Sequence, residues 1–202
     1  MRPSTVVHLN VADFQAAVAV AGDRSLAGRP FVLAGAQGTG RAVVLGLSPL
    51  ARAEGLAVGM PLSAAERRVR GLMALAPDPV ACARAAEGMA GIAARYAPLV
   101  QDDSGGHLFL DLAGTSRLFG AAIDCAVRIR NEIADSLGLE ATAAVARNKL
   151  VAKVAARSVK PLGVACVRAG DEACFLSPQD AFLLPGVRSE ERRVGKECRS
   201  RW

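Results

Sequence analysis

Short runs in which apolar and polar residues alternate are separated by stretches with helical spacing. Residues 5–10 read as a strand rich in β-branched side chains. Asp13 stands where it could cap a helix running through Phe14, Ala17, Val18 and Val20 to Gly22. Strands over 31–35 and 41–45 flank a Gly-rich turn at 36–40. Ser48 before Pro49 marks a helix start that stops at Gly55. Ser63 and Glu66 have the spacing of a capping box, opening a helix over 63–70. A short strand over 72–75 precedes Pro77 and Pro79, and helical periodicity returns over 79–96. Residues 99–102 and 107–112 predict a hairpin about Ser104, Gly105 and Gly106, with Leu108, Leu110 and Leu112 on one face and His107, Phe109 and Asp111 on the other. Helices over 121–137 and 148–159 are stopped by Gly138 and Pro161 and enclose a strand at 141–146. A short strand at 163–167 and a turn at 184–187 complete the pattern.

From residue 72 the order is strand, helix, strand, strand, helix, strand, helix, with the first strand donated from the N-terminus. Two long helices against an antiparallel sheet predict an α+β, ferredoxin-like layer. Residues 13–76 then form an inserted small α/β subdomain.

Composition narrows the class. The 202 residues are 51% apolar and 22% charged, as expected of a globular chain with a real core. No apolar run approaches the length of a membrane span, so no membrane partner is expected. The net charge is +6. Residues 188–202 hold six basic and three acidic side chains, +3 of that total, which leaves +3 on the rest. A mildly basic body permits nucleic-acid contact without demanding it. The stretch 188–202 has no apolar periodicity and resembles translated cloning-vector sequence, so it is read as a vector-derived or disordered tail outside the fold. The five cysteines contain no CxxC pair, which argues against zinc ribbons and thioredoxin chemistry. Most are expected to be small buried residues in a reducing compartment.

Two local motifs lead nowhere alone. Gly35, Gly40, Arg41 and Ala42 nearly match a phosphate loop, but Arg41 and Ala42 stand where Lys and Ser or Thr are needed. The segment after them is strand-like, so no helix start would face a phosphate. His8 and His107 are the only histidines and have no metal-ligand spacing.

Five segments in register carry more. His8-Leu-Asn-Val-Ala-Asp-Phe-Gln-Ala-Ala-Val18 resembles the opening strand of Y-family (DinB/UmuC-like) translesion DNA polymerases. The stretch from Leu45 to Gly59-Met-Pro61 resembles that family's finger motif. Ser104-Gly-Gly-His-Leu-Phe-Leu-Asp-Leu-Ala-Gly-Thr115 resembles its catalytic hairpin, and Asn148-Lys-Leu-Val-Ala-Lys-Val-Ala155 with Lys160-Pro161 its palm-closing motif. Leu184-Pro-Gly-Val187 is similar to the start of its helix-hairpin-helix thumb. The resemblance implies a palm formed by 1–12 and 77–165, fingers at 13–76, and only the beginning of a thumb at 166–187.

The departures decide what the resemblance implies. Such polymerases hold two Mg²⁺ ions with carboxylates on adjacent strands. The matching positions here are Asn10, Gly106 and His107, none of them acidic. No catalytic residue and no Mg²⁺ site are therefore expected, although the family uses Mg²⁺. Asp13, Asp102 and Asp103 are the nearby carboxylates to consider as replacements. Arg52 and Lys160 match the residues that contact the triphosphate, whereas Pro49 replaces a tyrosine and Gln15 replaces the aromatic sugar filter.

Within the family this pattern resembles ImuB, a bacterial mutagenesis accessory protein. It implies a catalytically inactive adaptor in damage-induced translesion synthesis, located in the bacterial cytoplasm with the nucleoid. The implied partners are an error-prone C-family polymerase, a RecA-like accessory protein, the sliding clamp and DNA, the last held weakly by a chain cut short after palm and fingers. The alternative is an active error-prone DNA polymerase with an atypical metal site.

Overall fold

The computed structural model describes residues 5–37 and 41–185. The tail at 188–202, Cys198, and the end of the turn at 184–187 lie outside the described residues.

Five strands make the larger sheet, in the order β5 (Leu99–Asp102), β6 (His107–Asp111), β1 (Val6–Val11), β7 (Ala141–Ala146) and β8 (Val164–Cys166). β1 is central and all six of its residues are buried, because both faces of the sheet are covered. Val7, Leu9 and Val11 project to one face with Leu108, Leu110, Leu112, Ala141, Ala143 and Val145. There they meet α1 (Phe14–Gly22), α4 (Pro79–Ala94) and α6 (Ala122–Leu137) through Phe14, Val18, Met89, Ile92, Ile129 and Ile133. This period-two split of one strand into two faces is what the sequence alternation encodes.

The two long helices are α4 and α6. Asp78 caps α4 by accepting from the Ala81 N–H at 2.8 Å, and Gly138 ends α6 at φ 66°. Gly88 lets α4 approach α6 closely, since a Cβ there would lie 3.1 Å from Leu137.

The opposite face of the sheet is covered in part by α7 (Lys149–Ser158). Val6, Phe109, Ala144 and Ala146 pack there against Val151, Ala152, Ala155 and Ala156. The alanine-rich β7 allows that close approach. The sheet is also mixed: β8 runs parallel to β7, while β5, β6, β1 and β7 pair antiparallel. The segment joining β7 to β8 contains α7, and a parallel neighbour requires such a crossover.

The smaller sheet has the order β3 (Arg41–Leu47), β2 (Phe31–Gln37) and β4 (Met73–Leu75), with β2 antiparallel to β3 and parallel to β4. One face is covered by α2 (Pro49–Ala53) and α3 (Leu62–Arg68), with Val32, Val44, Leu47, Ala51, Ala65 and Val69 in a common core. On the other, Phe31 and Leu33 pack with Ala16 of α1. α1 thus supplies Ala16 to the small core and Phe14 and Val18 to the large one.

Several local expectations need correction. Ser63 does not cap α3; Pro61 precedes the helix and no side chain caps it, because the first turn already begins at Leu62. Asp13 makes no capping bond to α1 either, and its backbone is left-handed at φ 47°. Of the four described cysteines only Cys125 is buried, while Cys166 and Cys174 are exposed. α5 (Ser116–Phe119) and α8 (Glu172–Leu176) are single turns that the sequence periodicity did not reveal. Arg41 begins a strand, so the near-match to a phosphate loop does not lead into a helix. Among the described residues no helix is long and apolar enough to cross a membrane.

Candidate functional site

Strand register brings the candidate positions together. Asn10 of β1 faces His107 of β6 on one side and Thr142 of β7 on the other. His8 lies two residues back on the same face of β1. Its ring stacks against His107 with centroids 5.3 Å apart and against Phe109 at 4.5 Å. Nε2 of His8 and Nδ1 of His107 share a hydrogen bond of 3.1 Å. The sequence names each histidine as solitary; only the β1–β6 register pairs them. With Asn10 and His107 opposed in that register, the period-two rule places His8 on the same face as Asn10.

Both imidazoles are held neutral. Burial, then His107, then Lys153 pushes His8 down to about 3. Burial, followed by Lys153 and Lys160, also lowers His107.

Gly106 is buried and adopts φ 80°, a conformation that disfavours a side chain. A Cβ at that position would lie 2.6 Å from Cδ2 and 2.8 Å from Cγ of Phe14. The phenyl ring therefore occupies the space a longer residue would need. Asn10 is 1% exposed, and its Nδ2 has no hydrogen-bond partner.

The three carboxylates considered as replacements are all engaged. Asp103 takes a 2.7 Å ion pair from Lys153, which holds its carboxyl below the usual range. Asp13 pairs with Arg52. Asp102 accepts from the Ser104 N–H at 2.8 Å, closing the hairpin turn. Asp111 likewise accepts from the Ala113 N–H. Among the described residues no group of three or more His, Cys, Asp or Glu side chains is placed to hold a metal ion.

These residues do not fit a pair of Mg²⁺ ions. Mg²⁺ wants anionic oxygens in an octahedral shell. Here one position offers an amide, one is filled by a phenyl ring, and one is an imidazole bonded to another imidazole.

Cations crowd the same face. α7 starts at Asn148, whose Oδ1 accepts from the Val151 N–H at 2.9 Å. Its next turns direct Lys149 and Lys153 over the Phe109 ring, each ammonium 5.6 Å from the centroid. Lys149 also donates to Gln101 of β5. Lys160, just beyond α7, has its pKa lowered by burial and then by Arg157. Arg52, on α2, reaches Asp13 from the smaller sheet. Ser48 anchors that helix: its Oγ accepts from Ala51 N at 3.2 Å and from Phe31 N at 3.0 Å. Gln15 sits on the exposed side of α1 and extends over Gly46 of β3, where a Cβ would lie 3.3 Å from its Oε1. Arg52 and Asp13 act electrostatically on Lys160, and Lys160 in turn on both histidines, while Gln15 lies against Gly46 of the small sheet.

The profile of the impB/mucB/samB family matches residues 9–157. The chain belongs to that family. DNA polymerase IV of Desulfatibacillum aliphaticivorans is 35% identical over 191 residues, covering 93% of this chain and 47% of that protein. DNA polymerase IV of Halorhodospira halophila is 34% identical over 182 residues, covering 90% and 51%. The chain therefore spans about half the length of these curated relatives. Among solved structures, an insertion ternary complex of Dbh DNA polymerase superimposes with a TM-score of 0.87 at 24% identity, over 96% of this chain and 57% of the other. DinB from Sulfolobus solfataricus gives 0.86 at 24% identity, again over 96% and 57%. The impB/mucB/samB chain described here is thus a Y-family polymerase homologue that carries the α+β fold of that family.

Proposed function

We propose that this chain is a catalytically inactive Y-family homologue that serves as an adaptor in DNA-damage-induced translesion synthesis. One observation carries the reading: the Phe14 ring fills the space in which a side chain at Gly106 would have to sit. The amide of Asn10 and the paired imidazole of His107 support it, because neither supplies the negative charge that two divalent cations require.

The core residues of the fold are kept while the metal chemistry is lost, which is the combination an adaptor tolerates. DNA is the proposed ligand, held weakly through Lys and Arg contacts to phosphates. An error-prone C-family polymerase, a RecA-like accessory protein and the sliding clamp are the proposed protein partners, by likeness to ImuB. The palm at 1–12 and 77–165, the fingers at 13–76 and the thumb start at 166–187 are the proposed domains. The proposed setting is the bacterial cytoplasm.

Primer extension with Mg²⁺ or Mn²⁺ tests the reading. The expected result is no template-directed product above background with either ion. Template-directed extension would overturn it in favour of a polymerase with an atypical metal site. DNA binding is measured separately by a filter titration: weak binding that disappears with added salt is expected, and tight, salt-insensitive binding would contradict it.

A further inference from the structure

β5 ends the larger sheet, and among the described residues no strand pairs with its outer edge. The direction of its backbone groups follows from the hairpin. The Asp103 N–H donates to the His107 carbonyl at 2.9 Å, so that pair is bonded across the turn. Two and four residues back along β5, Gln101 opposite Phe109 and Leu99 opposite Asp111 turn their N–H and C=O groups toward β6 as well. Val100 and Asp102 alternate with them, so theirs point away from the sheet, where an added strand would meet them.

Natural sheets blunt such edges with proline, lysine or a bulge. β5 has none of these: its residues are Leu, Val, Gln and Asp, paired without a break to β6. The one charge, Asp102, is turned back to the Ser104 N–H. Leu99 is 67% exposed. On the α7 side of the sheet a cavity of about 390 Å³ runs along this edge, lined by Val6, Leu99, Gln101, Phe109, Asp111 and Lys149 among others. Asp111 stands opposite Leu99, and Lys149 donates to Gln101, so opposite charges mark two places along it. Neither charge is in an ion pair among the described residues.

We propose that β5 is the surface through which two copies of this chain associate, edge to edge and antiparallel about a twofold axis, into one continuous sheet. A twofold contact requires a surface that complements itself. With Val100 opposite Val100 of the second copy, the two residues exchange N–H···O bonds and their side chains meet on one face. On the other face Leu99 falls beside Gln101 of the second copy, at the mouth of that copy's cavity. The same row carries Asp111 of one copy and Lys149 of the other, so the unpaired charges are drawn together twice. The next register with the same bonding sense sets Val100 against Asp102 and loses this match. The self-complementarity of apolar and charged positions is what favours a second copy over an unrelated strand. Strands of four residues bury little area, so the dimer is weak and depends on concentration. The inference does not depend on the non-catalytic reading.

Sedimentation equilibrium of the full chain, from micromolar to near-millimolar concentration, tests it. A reducing agent keeps the exposed Cys166 and Cys174 from cross-linking copies. The mass is expected to rise from that of the monomer toward twice that value. Val100→Pro removes an outward N–H and leaves the bonds to β6 in place, as edge strands tolerate; it should leave the chain monomeric throughout. Leu99→Lys, at an exposed position, should weaken association about tenfold or more. Circular dichroism checks that both variants are folded, and if Val100→Pro is not, Leu99→Lys decides alone. A chain that is monomeric at every concentration overturns the proposal and leaves the edge to some other chain. Association that either folded variant leaves unchanged overturns it too, because the contact then lies elsewhere.

Discussion

Nε2 of His8 lies 3.1 Å from Nδ1 of His107, although the two residues are 99 positions apart in the chain. Both rings are neutral in the fold, and that neutrality sets a dependence on pH. The folded pKa of His8 is about 3, below its ordinary 6.5. Between those values the unfolded chain binds a proton that the folded chain refuses. Stability is therefore full above pH 6.5 and falls as the pH drops toward 3. By pH 5 the loss from His8 alone should be about 2 kcal/mol. Urea denaturation at pH 7 and pH 5 measures it. His8→Asn should flatten the slope between those two values; an unchanged slope would refute the assignment.

Gly106→Asp would place a carboxylate at the position proposed to match a family metal ligand. The φ of 80° and the 2.6 Å approach to Phe14 oppose any side chain there. The substitution should cost about 1–3 kcal/mol from backbone conformation alone, with displacement of the phenyl ring in addition. Gly106→Ala should share most of that cost. Denaturant midpoints for the two variants check it, and a neutral Gly106→Ala would show that the ring moves freely.

Ser48 joins three backbone segments. Its hydroxyl oxygen accepts from Phe31 N and Ala51 N, and its O–H donates to the Arg29 carbonyl. It is 3% exposed. Ser48→Ala should cost about 1–2 kcal/mol through the lost cap and the orphaned N–H of Phe31. Amide exchange should quicken at Phe31 and Ala51 before it does so in the large sheet.

Arg52 of α2 pairs with Asp13 at the start of α1, but the Arg52 side chain is 52% exposed. Arg52→Ala should change stability by less than about 1 kcal/mol. On the proposed DNA-binding reading it should weaken low-salt binding uniformly across sequences and lower the salt slope by about one. A stability loss without any change in binding would make Arg52 a structural strut only.

The legible parts of the fold were those with strong local patterns. The strand Ala141–Ala146 and the helix Ala122–Leu137 fall where periodicity and Gly138 put them. The faces of the hairpin agree with its leucine alternation. Elements of one turn, such as Ser116–Phe119 and Glu172–Leu176, are too short for periodicity to register. Asp13 and Ser63 mislead because a capping residue is defined by backbone angle as much as by side chain. Asp13 is left-handed and its carboxylate goes to Arg52, while Ser63 falls inside a helix already begun at Leu62. At the site, the sequence puts Asn10 on the first strand and His107 on the hairpin, but that they face each other comes from the β1–β6 register. The tie from Lys153 to Asp103, spanning 50 positions, depends on how α7 lies across the hairpin and has no local signal.

The phenyl ring against Gly106 couples two positions that are 92 residues apart, so neither can be changed alone. While Phe14 keeps its place in the main core, an acidic residue cannot enter at 106 by one replacement without a steric penalty. Shrinking Phe14 first would open a void among Leu108, Val18 and their neighbours. Fitting a carboxylate at 106 therefore needs at least two coordinated substitutions, and packing alone makes the first of them costly.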